Sequence, residues 1–324
     1  MKVVLVHVDG KMPNPALMKL SAFHKKHNDS VMLVKMKDYL HPPLELFTAD
    51  SMYASCIFDW SDKKVKLLTD FANWKKSKNP NFGFQIGGSG YNVSLTLPDE
   101  IEHTMPDYSL YGIDYSMGFT SRGCIRNCPW CIVPKKEGVI RDHASISEFH
   151  DPKHSKLILL DNNFLASPKW KDNLFHIIEH KLQVNFNQGL DIRLINDYNA
   201  NLLAHCQFRN WTFKSELLHF AFDEPKIEDA VRKGVEILKT HGISPRKLMF
   251  YMLVGFNTTF EEDIYRFNVL RELGLNPFVM IYNNRKDKPL LRHFARWVNK
   301  TVYKKCSFKN YKHGNSEKVI TELQ

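Results

Sequence analysis

The sequence of 324 residues lacks any hydrophobic run long enough to cross a membrane. Its longest apolar runs, such as residues 157–160, have only the length of a strand. The N-terminal apolar run, residues 3–8, is followed by Asp9 and a Pro-Asn-Pro segment, and the small-residue cleavage site of a secretory signal is missing. We therefore predict a cytoplasmic protein without a membrane partner.

Cysteine is also scarce, with six residues in the whole chain. A cytoplasmic protein is not expected to use them for structural disulfides. Three of the six, Cys124, Cys128 and Cys131, nevertheless fall within eight consecutive residues. Such clustering indicates a metal site or a catalytic site.

The body of the chain has almost no surplus of charge. The net charge is +10, but the first 284 residues contribute only +2. Residues 285–312 hold ten Lys or Arg residues and one Asp. Within residues 288–305, which we predict to be helical, four basic residues recur at a spacing of four and are expected on one slowly drifting face. This stripe is either a phosphate-contacting surface or the solvated face of a packed helix; its members are Arg292, Arg296, Lys300 and Lys304.

The first part of the chain alternates short apolar strands with helix-like segments. Such alternation is typical of a parallel sheet covered by helices on both faces. We predict an α/β domain of the flavodoxin or Rossmann-like type at residues 1–112. Its predicted strands are residues 3–8, 31–35, 53–58 and 84–88.

A second alternating series predicts a partial (β/α)6 barrel at residues 113–285, followed by a basic helical extension at 286–324. Thr259 and Glu262 form a predicted capping box, and Gly242 and Gly274 stand where helices are expected to end. The predicted strands are residues 115–120, 156–161, 183–188, 218–223, 247–255 and 277–283.

The cysteine cluster follows the first strand of this second series with the spacing C-x3-C-x2-C. The carboxyl ends of strands are where α/β folds form their sites. Three thiolates from one loop can bind three irons of a [4Fe–4S] cluster and leave the fourth iron open to a small molecule. Structural zinc, the alternative, usually needs four ligands, and no second cysteine pair is present.

This motif, with Trp130 in its aromatic position, resembles the radical S-adenosylmethionine (radical SAM) superfamily over residues 113–285. The resemblance implies a [4Fe–4S] cluster that cleaves SAM to a 5′-deoxyadenosyl radical with an electron from a flavodoxin or ferredoxin type donor. It also implies SAM contacts at the later strand ends. Each contact has a plainer alternative as a turn residue, helix cap or surface ion pair. The candidates are Asp161, Asn162 and Asn163 for the methionine amino group, Gln188, Asp191 and Arg193 beside the carboxylate, Asp223 for the ribose, and Gly255 near the adenine.

The first domain resembles the cobalamin-binding domains found in one branch of that superfamily, and residues 84–91, FQIGGSGY, resemble their Gly-rich strand end. A tight turn explains this stretch equally well. Lys11 stands where a cobalamin-ligating His is placed in such domains, so the residues do not support cobalamin. Cys56 alone cannot hold the second cluster of methylthiotransferases.

We therefore expect a radical SAM enzyme that acts on a substrate the sequence does not define, with a nucleic acid as the leading hypothesis. One alternative is a cobalamin-dependent radical SAM methyltransferase. The other is a non-enzymatic iron–sulfur protein that binds nucleic acid.

Overall fold

A computed structural model describes residues 1–38, 40–284 and 288–312. The chain divides into two compact units. The first unit is Met1–Phe119 with Lys135–Gly138 and His143–Leu157. The second is Thr120–Pro134, Val139–Asp142 and the described residues from Ile158 onward. The first unit thus extends past the expected boundary at residue 112, and the described residues of the basic extension belong to the second unit.

The first unit opens with a parallel four-stranded sheet of order β2-β1-β3-β4. Asn14 caps helix α1 by accepting a hydrogen bond from the backbone N–H of Leu17, and Pro15 at the first helical position fits the start of a helix. The elements are β1 (Lys2–His7), α1 (Pro15–Lys26), β2 (Ser30–Lys35), β3 (Ser51–Ser55), α2 (Asp62–Lys78), β4 (Gly83–Gly87) and the short α3 (Asp99–Glu102).

Strand β1 is buried on both faces because successive side chains point to opposite sides of the sheet. Val3 and Leu5 pack with Leu17 and Leu20 of α1. Val4 and Val6 belong to a second cluster that includes residues of α2. This two-sided burial explains why the strand reads as a continuous apolar run.

The remaining elements continue the strand–helix alternation. They are β5 (Ser116–Gly118), β6 (Ser121–Arg122), α4 (Val133–Lys136), β7 (Arg141–Asp142), α5 (Ile146–Phe149), β8 (Lys156–Leu159), α6 (Trp170–Glu179), β9 (Gln183–Phe186), α7 (Asp197–His205), β10 (Gln207–Phe208), β11 (Leu218–Ala221), α8 (Glu228–Thr240), β12 (Leu248–Val254), α9 (Phe260–Glu272), β13 (Asn276–Ile281) and α10 (Pro289–Asn299). No helix in the described ranges is both long and apolar enough to span a bilayer.

Two further groups of strands follow, and all of their residues except the first half of β8 belong to the second unit. Strands β8, β9 and β10 lie side by side in that order, and β11, β12 and β13 form a separate three-stranded sheet. The predicted capping box is confirmed: the Thr259 hydroxyl accepts from the Glu262 backbone N–H, and the Glu262 carboxylate accepts from that of Thr259. Gly242 and Gly274 have positive φ directly after α8 and α9, as expected for residues that end helices.

The basic segment is a shorter helix than predicted. Helix α10 ends at Asn299, because Thr301 adopts a left-handed conformation with a φ of 55° that breaks the helical repeat. Arg292 and Arg296 are exposed on α10, and Lys300 caps it, but Lys304 lies beyond the break. The predicted stripe therefore does not continue along one helix through Lys304. The part of this segment at residues 285–287 and 313–324 lies outside the described residues.

Candidate functional site

A short antiparallel hairpin holds the cysteine loop at both ends. Strand β6 pairs with β7 so that Ser121 lies opposite Asp142 and Arg122 opposite Arg141. All three cysteines of the motif lie between these two strands. The hairpin therefore fixes the entry and exit of the loop.

Backbone N–H groups inside the loop point at its sulfurs. Cys124 Sγ accepts from the N–H of Arg126 at 3.3 Å, and Cys131 Sγ accepts from that of Val133 at 3.5 Å. Burial raises the pKa of the Cys128 and Cys131 thiols, and the neighbouring cysteines and the Asp223 carboxylate add to that effect. The cysteines and Asp223 therefore lie close enough to interact electrostatically. Among the described residues, no group of three His, Cys, Asp or Glu side chains is arranged to hold a single metal ion.

Asp161 anchors the start of the cysteine loop. Its carboxylate, 2% exposed, accepts hydrogen bonds from the backbone and the hydroxyl of Thr120 and of Ser121. Three of these donors lie at 2.6–2.7 Å from Oδ1. Burial raises the Asp161 pKa while these hydrogen bonds oppose the shift. The sequence predicts Asp161 as a contact of the methionine amino group of SAM. In this structure its carboxylate accepts hydrogen bonds from Thr120 and Ser121 at the start of the cysteine loop.

Asn163 is the polar residue of this strand end that faces the cysteines. Its side-chain N–H group points at Cys124 Sγ at 3.5 Å and at the Asp191 carboxylate at 3.4 Å. Its Oδ1 is buried and has no hydrogen-bond partner among the described residues, and the same holds for Nδ2 of Asn162. Buried polar atoms are almost always paired, so both amides are candidates to meet a bound molecule.

Asp191 forms ion pairs with Arg193 and Arg126. Asn163 contacts both Asp191 and Cys124. Arg193 donates from Nε and from its terminal nitrogen to the two carboxylate oxygens at 2.6 and 3.0 Å, and Arg126 donates from Nε at 2.9 Å. Burial raises the pKa of Asp191, but the hydrogen bonds and charges of Arg193 and Arg126 outweigh it and hold the pKa below its ordinary value. Arg193 is about one third exposed, so its ion pair does not enclose it.

Arg126 is a site residue that sequence reasoning missed. It lies between the first two cysteines of the motif, and its partner Asp191 is 65 residues away along the chain. The only local signal is a basic residue inside the cluster loop, which by itself could equally point to solvent. The structure shows that it ties the loop to the end of strand β9.

Asp223 follows strand β11 and is held by the neighbouring strand, since its Oδ1 accepts from the backbone N–H of Leu253 at 2.8 Å. Burial raises its pKa. Behind it, the fully buried Arg266 donates to the carbonyls of Phe222 and Leu253 and pairs with the buried Asp263 at 2.5 Å. Arg266 therefore fixes the two strand ends that position Asp223.

Three aromatic rings meet beside the cysteine loop. The Trp130 ring lies 5.8 Å from the Phe256 ring, and Phe256 lies 4.7 Å from Tyr282, both in edge-to-face geometry. Gly255, next to Phe256, has a φ of 80°, and an added Cβ would lie 2.6 Å from Leu291. The positive φ favours glycine here, and a Cβ would also force the end of the Leu291 side chain to shift. Gln188, the remaining candidate, is exposed.

In the first unit, Asp9 follows strand β1 and forms hydrogen bonds with the segment that follows strand β3. The Asp9 carboxylate accepts from the backbone N–H groups of Ile57 and Phe58 and from the Cys56 thiol. Burial raises the pKa of that thiol to about 12, so Cys56 is a protonated core residue. A cavity of about 360 Å³ lies beside Asp9, which lines it together with Gly10 and Trp60.

The Gly-rich stretch of the first unit packs against its own chain. A Cβ at Gly88 would lie 2.2 Å from the Cys56 carbonyl oxygen, and one at Gly90 would lie 2.4 Å from the Phe58 backbone. Close backbone packing therefore accounts for both glycines. His7 is 4% exposed, and its ring pairs with the Tyr111 hydroxyl at 3.1 Å.

Comparison with solved structures shows what this arrangement resembles. The chain is similar to the cobalamin-dependent S-adenosylmethionine radical enzyme OxsB with aqua-cobalamin bound, with a TM-score of 0.57 and 12% identity over 92% of this chain and 56% of that one. The selenomethionine-labelled apo form of OxsB matches with a TM-score of 0.44 and 13% identity over 86% of this chain and 49% of that one. This chain thus spans about half the length of the structures it matches. No protein-family model and no curated protein matches the sequence. The resemblance to radical SAM enzymes with a cobalamin-binding-like domain is confirmed at the level of the fold.

Proposed function

We propose that this protein is a radical SAM enzyme whose cluster binds to Cys124, Cys128 and Cys131. The observation that carries the proposal is Asn163, whose amide nitrogen faces Cys124 while its oxygen is buried without a partner among the described residues. If a [4Fe–4S] cluster and SAM bind here, the Asn163 amide oxygen would accept a hydrogen bond from the SAM amino group. The OxsB fold supports the same reading.

The donor set fits the cofactors. Three thiolates from one loop are the ligand type that iron–sulfur clusters require, and a three-cysteine loop leaves one iron for SAM. When bound, the cluster supplies the electron that splits SAM into methionine and a 5′-deoxyadenosyl radical. The hard chemistry belongs to the cofactor, and the protein positions the reactants and excludes water. A flavodoxin or ferredoxin type protein would be the external electron donor.

The protein's own residues divide the positioning work. Asp161 holds the loop entry through Thr120 and Ser121, and Asn163 offers its free amide oxygen to the SAM amino group. Arg193, already oriented by Asp191, can direct remaining N–H groups at the SAM carboxylate, because a guanidinium has five donors.

The other end of SAM would meet different side chains of the same unit. Asp223, held by the Leu253 backbone N–H, would accept hydrogen bonds from the ribose hydroxyls. Trp130 and Phe256 form an aromatic corner for the adenine.

We expect reduced wild-type protein to form 5′-deoxyadenosine from SAM, and we expect Asn163→Ala to weaken SAM binding about ten- to a hundredfold. The loss of a hydrogen bond to a charged group costs about 1.5–3 kcal/mol, which corresponds to that range. Equilibrium binding of SAM to the reconstituted protein, with 5′-deoxyadenosine measured by chromatography, tests both.

Asn201→Ala is the matched control, because Asn201 is an exposed asparagine on helix α7. Its SAM affinity and the iron content of both variants should equal those of the wild type. An unchanged affinity in Asn163→Ala would remove Asn163 from the site. An absence of 5′-deoxyadenosine from fully loaded wild-type protein would overturn the proposed function.

A His-ligated cobalamin does not fit the first unit. Lys11 stands at the position of the expected ligand, and the His7 ring is buried and paired with Tyr111. The glycines that would open the strand end pack against the Cys56 and Phe58 backbone instead. The proposed reaction therefore does not use a His-ligated cobalamin.

The exposed basic residues around α10 support a nucleic acid as the partner or substrate. Arg292 and Arg296 lie on the exposed face of an otherwise packed helix, and Lys300 continues it. Three phosphate contacts predict a slope of log affinity against log salt of about −2 to −3, because each contact releases most of one counterion. Fluorescence anisotropy with a labelled RNA at several salt concentrations measures the slope.

Arg296→Ala combined with Lys300→Ala should flatten that slope by about 1.5 and weaken all RNA sequences alike. Lys76→Ala with Lys78→Ala, an exposed pair at the end of α2, should leave the slope unchanged. If wild-type protein has no salt-dependent affinity at low ionic strength, the basic residues are a solvated face and the nucleic-acid hypothesis is rejected.

A further inference from the structure

The three-stranded sheet of the second unit has one deeply buried face and one that is more open to solvent. Along β12, Leu248, Phe250, Met252 and Val254 are buried, and the alternate residues are only partly buried. The buried set shares its face with Phe220, which stacks on Phe250. The opposite face is therefore the open one.

A row of rings runs across this open face. His219 on β11 stacks on Tyr251 of β12 with centroids 5.5 Å apart and planes inclined by 8°. Tyr251 meets Phe278 of β13 edge-on at 5.8 Å. Phe278 is 37% and Met280 48% exposed in the whole chain. We call this surface the aromatic wall; its members are His219, Tyr251, Phe278 and Met280.

His219 is poorly explained as a core residue. It is 7% exposed, and its Nδ1 is buried without a partner among the described residues. Burial also lowers its pKa, so the imidazole is neutral at neutral pH. A buried unpaired nitrogen costs folding free energy, which a ring of carbon atoms at this position would avoid.

The aromatic wall carries no formal charge. The three strands contain no Asp, Glu, Lys or Arg. The flanking charged residues lie outside them: Glu216 before β11, Lys247 before β12 and Asp223 beyond the carboxyl end of β11. Rings bind other planar rings by stacking and edge-to-face contact, whereas a charged group placed here would lose hydration without gaining a partner.

We propose that the aromatic wall binds the substrate, and that the portion it takes is a neutral planar ring, with His219 and Tyr251 as specificity-determining residues. This inference rests on the proposed function. Asp223, Phe256 and Tyr282 follow the same three strands at their carboxyl ends, where SAM is proposed to bind. The wall thus holds the ring, and the carboxyl ends of its strands hold SAM. A longer charged substrate would place its phosphates outside this face.

The test uses 5-fluoroindole as a neutral planar probe and 5-fluoroindole-2-carboxylate as its charged counterpart, both followed by fluorine NMR with the full chain. We expect 5-fluoroindole to bind, and the carboxylate to bind at least about tenfold more weakly. Tyr251→Ala should weaken 5-fluoroindole about five- to tenfold, in line with the loss of ring stacking. Trp60→Ala, which removes an exposed ring of the first unit, should leave the affinity unchanged.

His219→Phe separates a role in binding from a role in folding. It keeps a ring beside Tyr251 and removes the unpaired nitrogen, so the melting temperature should stay equal or rise. The preference for 5-fluoroindole over 1-fluoronaphthalene, a ring without an N–H group, should fall at least about threefold. A lower melting temperature with an unchanged preference would make His219 a folding residue and overturn its assignment.

No binding of 5-fluoroindole, equal weakening by Trp60→Ala, or tighter binding of the carboxylate would overturn the aromatic wall as a site for neutral rings. These measurements need no SAM. Failure of the wild type to cleave SAM would therefore reject the proposed function separately, while probe binding reports on the wall alone.

Discussion

Replacing any one of Cys124, Cys128 and Cys131 by Ala should abolish both the iron–sulfur cluster and 5′-deoxyadenosine formation. Anaerobically reconstituted wild-type protein should contain about four irons and four sulfides per chain, the content of one cube. The single variants should lose the visible absorbance, because two thiolates cannot hold three irons. Iron and sulfide analysis, with absorption and electron paramagnetic resonance spectra, measures the loss.

The matched control removes the three other thiols together, as Cys56→Ala, Cys206→Ala and Cys306→Ala. Burial raises the pKa of the Cys56 and Cys206 thiols to about 12, so neither is a thiolate at neutral pH. We expect this triple variant to keep its iron content and its SAM cleavage. Equal loss in the triple variant would refute a single cluster on the loop.

Arg266→Met should destabilise the fold by about 3–5 kcal/mol, since it leaves the buried Asp263 carboxylate without its partner. The same substitution removes the donors to the Phe222 and Leu253 carbonyls, at the two strand ends beside Asp223. SAM affinity should therefore fall as well, even under conditions where the variant remains folded. Urea denaturation measures the free energy of unfolding, and equilibrium binding measures the affinity.

Arg232→Met is the control for arginine in an ion pair at the surface. Arg232 pairs with Glu228 and Glu272 and is partly exposed, so its loss should destabilise the fold far less than the loss of the buried Arg266. Asp263→Asn added to Arg266→Met should recover part of the stability, because no uncompensated charge then remains. A loss at Arg266 no larger than that at Arg232 would show that the buried pair does not support the strand ends.

The sequence predicted the features that depend on local patterns. Alternating apolar segments predicted the strands of both units, and the Thr259–Glu262 capping box was predicted from a spacing of three residues. The cysteine motif could be recognised for the same reason, because its three cysteines lie within eight consecutive residues. The OxsB comparison confirms the corresponding fold.

The contacts that the sequence did not predict join distant parts of the chain. Asp161 is predicted as a SAM contact, and the structure adds hydrogen bonds to Thr120 and Ser121, about 40 residues upstream, that the sequence did not predict. The Arg126–Asp191 pair spans 65 residues. Polar residues at strand ends can serve a ligand, a helix cap or another loop, and only the tertiary arrangement decides among these uses. The break at Thr301 was missed for a different reason, since its left-handed conformation is uncommon for a β-branched residue.

The β6–β7 hairpin also bears on the order of assembly. Since the chain closes around residues 123–140 through its own backbone pairing, much of the conformational entropy of ordering that loop is lost when the chain folds. In the proposed enzyme, iron would then arrive at a loop whose ends are already joined, unlike a zinc finger, in which metal binding itself drives folding. The cluster should therefore be removable and replaceable in a folded chain, so that repair after oxidation requires new iron and sulfide but no refolding of the protein.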